Sequence, residues 1–173
     1  IPVKTETIGL TEEVIGRWVA SSGRRSDYVI ATKCLGPNGF IRDQRPVDGA
    51  TIREACETSL RRLQTDVIDL YQIHRWHVRS PLEETARALD DLVRAGKVRY
   101  IGASNLRGYQ LLSYLHHMDA NLLARFVSIQ PPYNAINRAI ELEVLPLVEQ
   151  EGLGVIPYNP LGGGMLTGKY RRG

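Results

Sequence analysis

The chain has 173 residues, of which 43% are hydrophobic and 24% charged, and its formal net charge is +3. This length suits one domain, spanning residues 1–173, and neither a membrane span nor a signal peptide is expected. Cys34 and Cys56 are too few for a disulfide framework, which favours a reduced cytoplasmic protein. The arginines alternate with carboxylates and form no aromatic-lined basic face, so nucleic-acid binding is not expected.

Apolar residues recur with helical spacing in five segments, and β-branched runs separate these segments. The predicted helices are Thr11–Val19, Thr51–Leu63, Pro81 to Gly96, Gly108–His117 and Ile140–Glu149. The predicted strands are Tyr28–Lys33, Val67–Ile73, Val98–Ala103, Phe126–Ile129 and Gly154–Tyr158. Thr11 is expected to cap the first helix, and Ser80 to cap the third in a capping box with Glu83. A long loop is predicted for Gly36–Gly49.

Every predicted strand ends on a polar or ionisable side chain. These residues are Lys33, His74, Ser104 with Asn105, Gln130, and Tyr158 with Asn159. Alternating strands and helices without hairpin signals predict a parallel sheet. An open doubly wound sheet concentrates its site at one switch point, whereas a (β/α)₈ barrel gathers strand ends from all round the ring into one mouth. The distribution of polar strand ends therefore favours the α/β barrel.

Four ordered motifs carry a resemblance to a known family. They are Ala-Thr-Lys at 31–33, Asp-Leu-Tyr-Gln-Ile-His-Arg-Trp at 69–76, Gly-Lys-Val-Arg-Tyr-Ile-Gly-Ala-Ser-Asn at 96–105 and Tyr-Asn-Pro-Leu-Gly-Gly-Gly-Met-Leu-Thr-Gly-Lys-Tyr at 158–170. Together they resemble the aldo-keto reductase superfamily, in the branch that also holds potassium-channel β-subunits. The resemblance implies a (β/α)₈ TIM barrel, of which roughly strands 3 to 7 are represented, and NADPH-dependent reduction of a ketone or aldehyde. NADH is not excluded as the cofactor, and whether the protein forms a homo-oligomer is left open.

Carried over position by position, the resemblance implies a catalytic pair. Lys33 corresponds to the family's catalytic lysine and His74 to its catalytic histidine. In the family a tyrosine protonates the carbonyl oxygen as the nicotinamide delivers hydride, and a nearby ammonium stabilises the phenolate. The histidine would orient the carbonyl, and Trp76 would wall the substrate pocket. Taken alone, a lysine at a strand end is more typical of a solvated side chain.

The same resemblance implies a cofactor site. The residues that would bind the nicotinamide carboxamide, a group that both donates and accepts hydrogen bonds, are Ser104, Asn105 and Gln130. Tyr158 would stack on the nicotinamide ring. The loop near the pyrophosphate would comprise Asn159, Leu161, Gly162, Gly163 and Gly164, whose glycines allow close backbone approach. Without the resemblance, Tyr158 could equally be a core residue and the glycines a turn. No metal site is expected.

The N-terminal segment departs from the family pattern. In the family, the catalytic aspartate and tyrosine lie in an Asp-Thr-Ala-x-x-Tyr stretch just before the segment that corresponds to Gly9–Glu13, and residues 1–8 contain neither. Five strands also cannot close an eight-stranded ring. We therefore expect a longer protein, incomplete here at both ends, whose intact mass exceeds 19.4 kDa.

Two functions follow from these observations. The first is an NADPH-dependent oxidoreductase acting on a small-molecule ketone or aldehyde, with bacterial secondary metabolism as a candidate setting. The second is a non-catalytic regulatory module that binds a nicotinamide cofactor, or an inactive fragment, because the aspartate and the tyrosine are missing.

Overall fold

A computed structural model of the chain describes residues 7–34, 48–76 and 80–170. The helices in this part are α1 (Leu10–Ser22), α2 (Gly49–Leu63), α3 (Leu82–Arg94), α4 (Gly108–Ala120) and α5 (Val144–Glu151). The strands are β1 (Ala31–Cys34), β2 (Ile68–Ile73), β3 (Val98–Ser104), β4 (Phe126–Gln130) and β5 (Gly154–Val155). Short 3₁₀ turns occupy Arg25–Asp27, Ala139–Glu141 and Gly162–Thr167.

The five strands form one parallel sheet in the order β1-β2-β3-β4-β5. A helix separates each strand from the next along the chain, and the strand order does not reverse as it would in a doubly wound sheet. This arrangement is part of a (β/α)₈ barrel and confirms the predicted fold class. The register places Lys33, Gln72, Gly102, Ser128 and Gly154 in one row across the sheet.

The core lies between the sheet and the helices. Tyr71, Ile101 and Ile129 point from neighbouring strands into this layer, where they are essentially buried. The residues of the opposite face alternate with them, and Tyr100 on that face is 58% exposed. The sheet therefore has one face sealed by helices and one face that carries Lys33 and the polar strand ends.

Several predicted boundaries differ from those of the structure. Gly9, with φ 83°, takes the N-cap position of α1 instead of Thr11, and Pro81 takes that of α3 instead of Ser80. Strand β1 begins at Ala31 because the N–H of the preceding residue, Ile30, donates to the Asp69 carboxylate.

The elements at the C-terminal end also differ from their predicted bounds. Strand β5 ends at Val155, two residues before Pro157, which has no N–H to donate. Helix α5 begins only at Val144, because residues 139–141 form a separate 3₁₀ turn. Of the predicted loop Gly36–Gly49, residues 36–47 lie outside the described part, and Gly49 already belongs to α2.

A buried carboxylate fixes the amino ends of the first strands. Asp69, on β2, accepts hydrogen bonds from the Ile30 N–H at 2.9 Å and from Arg25 Nη2 at 2.7 Å, and pairs with Arg99 Nη1 at 2.9 Å. Burial alone raises the pKa of Asp69, but the Ile30 and Arg25 hydrogen bonds and the two guanidinium charges outweigh burial and lower it. This ion cluster holds β1, β2 and β3 in register at the edge opposite the polar strand ends.

Candidate active site

Lys33 and His74 lie at the carboxyl edge of two neighbouring strands. Lys33 is on β1 and is paired across the sheet with Gln72 of β2. His74 lies two residues beyond Gln72, so the alternation of side chains along the strand places it on the face that carries Lys33. Both side chains are partly buried. The fold thus brings the two predicted catalytic residues onto one edge and one face of the sheet.

The environment keeps His74 neutral. Burial, followed by the positive charges of Lys33 and Arg75, lowers the pKa of His74 from 6.5 to about 4. Burial also lowers the pKa of Lys33. At pH 7 the imidazole therefore has one N–H donor and one nitrogen acceptor. Such a ring can orient a polar ligand by hydrogen bonding, but it carries no extra proton to release.

Asn105 joins the ends of four strands. It follows β3 directly and has φ 57°, a left-handed conformation that asparagine tolerates better than most residues. Its N–H donates to the Gln130 carbonyl at 3.2 Å. Its Nδ2 donates to the His74 carbonyl and to Ser104 Oγ, both at 3.0 Å, and its Oδ1 accepts from the Tyr158 hydroxyl at 2.8 Å. One side chain thus fixes the positions of three other predicted site residues.

These contacts determine what the amide cluster can offer a ligand. Asn105 Nδ2 must face the His74 carbonyl, because a carbonyl oxygen can only accept a hydrogen bond. Both hydrogens of Nδ2 are therefore used, one by the His74 carbonyl and one by Ser104 Oγ. Asn105 Oδ1 keeps a second lone pair. The Ser104 hydroxyl donates to the Gln130 carbonyl at 2.7 Å. The Gln130 amide nitrogen donates to no other described residue and remains available as a donor. The cluster can therefore accept from, and donate to, a carboxamide.

Tyr158 lies beyond the carboxyl end of β5, at the same edge of the sheet. Its backbone forms a parallel bridge with Pro132, its N–H donates to the Pro131 carbonyl at 3.0 Å, and its carbonyl accepts from the Tyr133 N–H at 3.3 Å. The residue is 40% exposed, which disfavours a role in the core. Its hydroxyl is held by Asn105, so the ring is fixed at its tip while part of its surface stays open.

The glycine loop comprises residues 159–168 and depends on left-handed backbone. Gly162, Gly163 and Gly164 have φ values of 58°, 66° and 95°. Asn159 organises the loop, because its carbonyl accepts from the Gly162 N–H at 3.0 Å and its Oδ1 accepts from the Gly163 N–H at 2.7 Å. The Gly164 N–H donates to the Leu161 carbonyl at 3.0 Å. These three N–H groups point into the loop itself. A ligand could therefore approach the backbone closely only because glycine has no side chain.

A positive charge lies against the same loop. A Cβ added at Gly164 would lie 2.7 Å from Lys169 Nζ, so the ammonium packs directly over this glycine. The ammonium also lies 4.8 Å from the centre of the Tyr170 ring. Lys169 is not among the site residues predicted from the sequence, although its position five residues after a glycine run was a usable signal.

Comparison with known proteins decides the family. The model of the aldo/keto reductase family matches residues 8–173. The chain belongs to the aldo/keto reductase family. Among the relatives of this chain, protein tas of Escherichia coli (strain K12) is 40% identical over 194 residues, covering 100% of the chain and 56% of the relative. From Bacillus subtilis (strain 168), the uncharacterized oxidoreductase YrpG is 42% identical, covering 93% of the chain and 51% of the relative. The aldo-keto reductase YhdN of the same organism is 38% identical, covering 93% and 47%.

The chain spans about half the length of these curated relatives. The alignment with protein tas covers all of the chain and runs over 194 positions, more than the chain's 173 residues. The relative therefore contains internal residues without a counterpart here. The oxidoreductase relatives and the family match confirm the predicted superfamily.

Trp76 of this aldo/keto reductase chain is directed towards a helix. Its ring meets Tyr114 of α4 edge-on, with centroids 5.7 Å apart and an interplanar angle of 78°, and Tyr114 in turn packs on Phe126. This contact accounts for an aromatic residue at the end of β2 without a ligand. The role of Trp76 as a wall of the substrate pocket stays a prediction.

The described part of the chain also bears on metal binding, membrane insertion and thiol chemistry. Within residues 7–34, 48–76 and 80–170, no group of three or more His, Cys, Asp or Glu side chains could hold a metal ion. No helix there is both long and apolar enough to cross a membrane. Cys34 and Cys56 are buried and form no disulfide within the described part, and burial raises the pKa of Cys56 to about 12, which makes that thiol unreactive.

Proposed function

We propose that the full protein is a cytoplasmic oxidoreductase that reduces a ketone or aldehyde with hydride from NADPH. The observation that carries this proposal lies at the carboxyl edge of the sheet. There a neutral His74 lies beside Lys33, and the His74 backbone carbonyl accepts a hydrogen bond from Asn105, which belongs to a cluster of amide and hydroxyl side chains. The His74 carbonyl and the Tyr158 hydroxyl bind the same Asn105 side chain, so a group bound at the cluster would lie near the end of the strand that carries His74.

The cluster of Ser104, Asn105 and Gln130 would hold the nicotinamide carboxamide. The fit rests on the hydrogen-bond inventory, because Asn105 Oδ1 has an acceptor position left and the Gln130 amide has donors left. Tyr158 would support the ring, since its hydroxyl is anchored and its face is partly open. When bound, the cofactor supplies hydride to the carbonyl carbon of the substrate.

The glycine loop would receive the pyrophosphate. Gly163 has no atom within 4 Å of an added Cβ, so its surface is open to a ligand. The Lys169 ammonium packed over Gly164 adds positive charge where phosphate oxygens would lie. Asn159 and Leu161 would shape the loop through the hydrogen bonds that they accept from the glycine N–H groups.

His74 and Lys33 would have different roles in the reaction. The neutral imidazole of His74 would donate its N–H to the carbonyl oxygen and orient the carbonyl for attack. The Lys33 ammonium would lower the pKa of a neighbouring phenol by stabilising its phenolate. Residues 1–8 contain no tyrosine, so the general acid on which Lys33 would act is not among them.

A second candidate function follows from that missing tyrosine. The protein could bind the nicotinamide cofactor as a non-catalytic regulatory module, using the amide cluster and the glycine loop without turnover. The choice between the two candidates depends on the general acid, whereas both require the cofactor site.

A turnover and binding experiment on full-length protein of confirmed mass tests the proposal. Fluorescence titration with NADPH and NADH measures binding, and NADPH oxidation with a panel of aldehydes and ketones measures turnover. His74→Gln and Lys33→Met should lose most of the turnover while keeping cofactor affinity, because neither side chain belongs to the amide cluster. Binding without turnover on any carbonyl compound would replace the enzyme by the regulatory module, and absence of binding would refute both.

A further inference from the structure

A closed turn lies between β4 and α5, opposite the glycine loop. Asn134 organises this turn, because its Oδ1 accepts from the Ile136 N–H at 2.9 Å and from the Asn137 N–H at 2.8 Å. Its own N–H donates to the Asn137 carbonyl at 3.2 Å. Since Oδ1 faces two N–H groups, the orientation of the amide is determined, and Nδ2 must point out of the turn.

The amide nitrogen of Asn134 reaches the glycine loop. Nδ2 donates to the Asn159 carbonyl at 3.0 Å, and the same carbonyl accepts from the Gly162 N–H. The Asn159 side chain continues the chain of contacts by accepting from the Gly163 N–H at 2.7 Å. Asn159 has φ 60°, a conformation that costs energy for a residue other than glycine and therefore needs support from its surroundings.

A second contact joins the turn to the loop. A Cβ added at Gly162 would lie 3.5 Å from Ile136 Cδ1, so the apolar side chain of the turn packs over this glycine. The two segments therefore meet through one hydrogen bond and one apolar contact. Neither Asn134 nor Ile136 lies in the motifs that identified the site in the sequence.

We propose that Asn134 is a positioning residue for the glycine loop. It holds the Asn159 carbonyl and, through Asn159, keeps Gly162 and Gly163 in the conformation that receives the cofactor. Where the ligand is concerned, the inference rests on the proposed function; where the conformation of the loop is concerned, it rests on the hydrogen bonds alone. Asn134 would touch neither the nicotinamide ring nor the substrate carbonyl. It should therefore affect cofactor affinity and leave the chemical step unchanged.

Asn134→Asp separates the link from the turn. A carboxylate retains the acceptor oxygen for the two turn N–H groups but cannot donate to the Asn159 carbonyl. Asn134→Ala removes both functions. Asn137→Asp is the matched control, because it adds the same charge to the same turn at an exposed residue whose side chain bonds to no described residue. A charge effect on phosphate binding would appear in both aspartate variants, whereas loss of the link would appear in only one.

Two measurements on the full-length protein test the inference. Deuterium exchange of cofactor-free protein follows the amides of residues 159–164, and fluorescence titration gives the Kd for NADPH. Losing one hydrogen bond predicts about threefold to tenfold faster exchange in that segment for Asn134→Asp and Asn134→Ala, and a similar rise in Kd. The kcat at saturating NADPH should stay at the wild-type value, and Asn137→Asp should match wild type throughout.

Three results would overturn the inference. The first is that Asn134→Asp and Asn137→Asp have the same exchange rates and the same Kd. The second is that the Asn134 variants exchange faster but have an unchanged Kd. The third is that only Asn134→Ala has an effect, which would assign the role to the turn alone. If the wild-type protein binds neither NADPH nor NADH, the proposed function fails, and the exchange comparison by itself then upholds or overturns the positioning of the loop.

Discussion

The low pKa of His74 gives the most direct test of the candidate site. Burial, Lys33 and Arg75, in that order, lower this pKa from 6.5 to about 4. Replacing Lys33 by methionine removes a like charge and leaves most of the burial. Because burial is the larger cause, we expect Lys33→Met to raise the pKa by about one pH unit, well short of the ordinary histidine value.

Arg75→Met supplies the matched comparison. Arg75 is the smallest of the three causes, so its removal should raise the pKa of His74 by less than Lys33→Met does. The assay is an NMR titration of the imidazole ring protons in full-length protein, with His74→Gln identifying the resonance. A wild-type midpoint near 6.5, or a larger effect of Arg75→Met than of Lys33→Met, would refute the reasoning.

The same pKa makes a statement about stability. A folded-state pKa below the unfolded value means that the unfolded chain binds the proton more tightly between pH 6.5 and about 4. The stabilisation is thus fully present above pH 6.5 and is lost as the pH falls towards 4. After discounting for solvent screening of a partly exposed ring, we expect about 1–2 kcal/mol. Urea unfolding at both ends of this range should show a smaller pH dependence for His74→Gln than for wild type.

Three further predictions concern other sites. Asp69→Asn should lower the free energy of unfolding by about 1–3 kcal/mol at pH 7, because it weakens a buried, charge-assisted hydrogen-bond cluster; an unchanged urea midpoint would contradict this. Gly102→Ala should cost about 1–3 kcal/mol, because its Cβ would lie 2.9 Å from Ser128 Oγ. Gly154→Ala, with its nearest contact at 3.6 Å, is the control and should cost clearly less. Under the proposed function, Tyr158→Phe should raise the Kd for NADPH about twofold to tenfold by losing one hydrogen bond, and Tyr158→Ala should raise it further by losing the stacking surface; equal Kd values for the two variants would argue against stacking.

Much of the fold could be predicted because the periodicity of apolar residues depends on burial. The apolar run at the centre of β2 predicted a buried strand, and all six of its residues are buried. Element ends depend on particular hydrogen bonds, which periodicity does not report. Tyr28 and Ile30 satisfy strand propensity, yet the Ile30 N–H binds the Asp69 carboxylate and β1 starts one residue later.

The site could be predicted only as a set of strand ends. Parallel strands bring their carboxyl ends to one edge, so the order of the chain was enough to group Lys33, His74 and Asn105. The direction in which each side chain points was not predictable in the same way. Trp76 turns to the helix layer, and Asn134 reaches the loop from a turn that carried no motif.

The hydrogen bonds of Asn105 decide which head group the cluster can accept. Both Nδ2 hydrogens are used within the protein, so Asn105 can only accept through Oδ1. The carboxamide of nicotinamide has N–H donors for that oxygen, whereas the carboxylate of nicotinic acid has none and would bring its charge against the Asn105 oxygen. Under the proposed function, the nicotinic acid dinucleotide should therefore compete at least about fivefold more weakly than the nicotinamide form, since an unpaired polar group in such a site costs about 1–3 kcal/mol. Asn105→Asp should weaken the nicotinamide form by disturbing both the His74 and the Ser104 contacts. Equal competition by the two dinucleotides would show that the cluster does not hold the carboxamide.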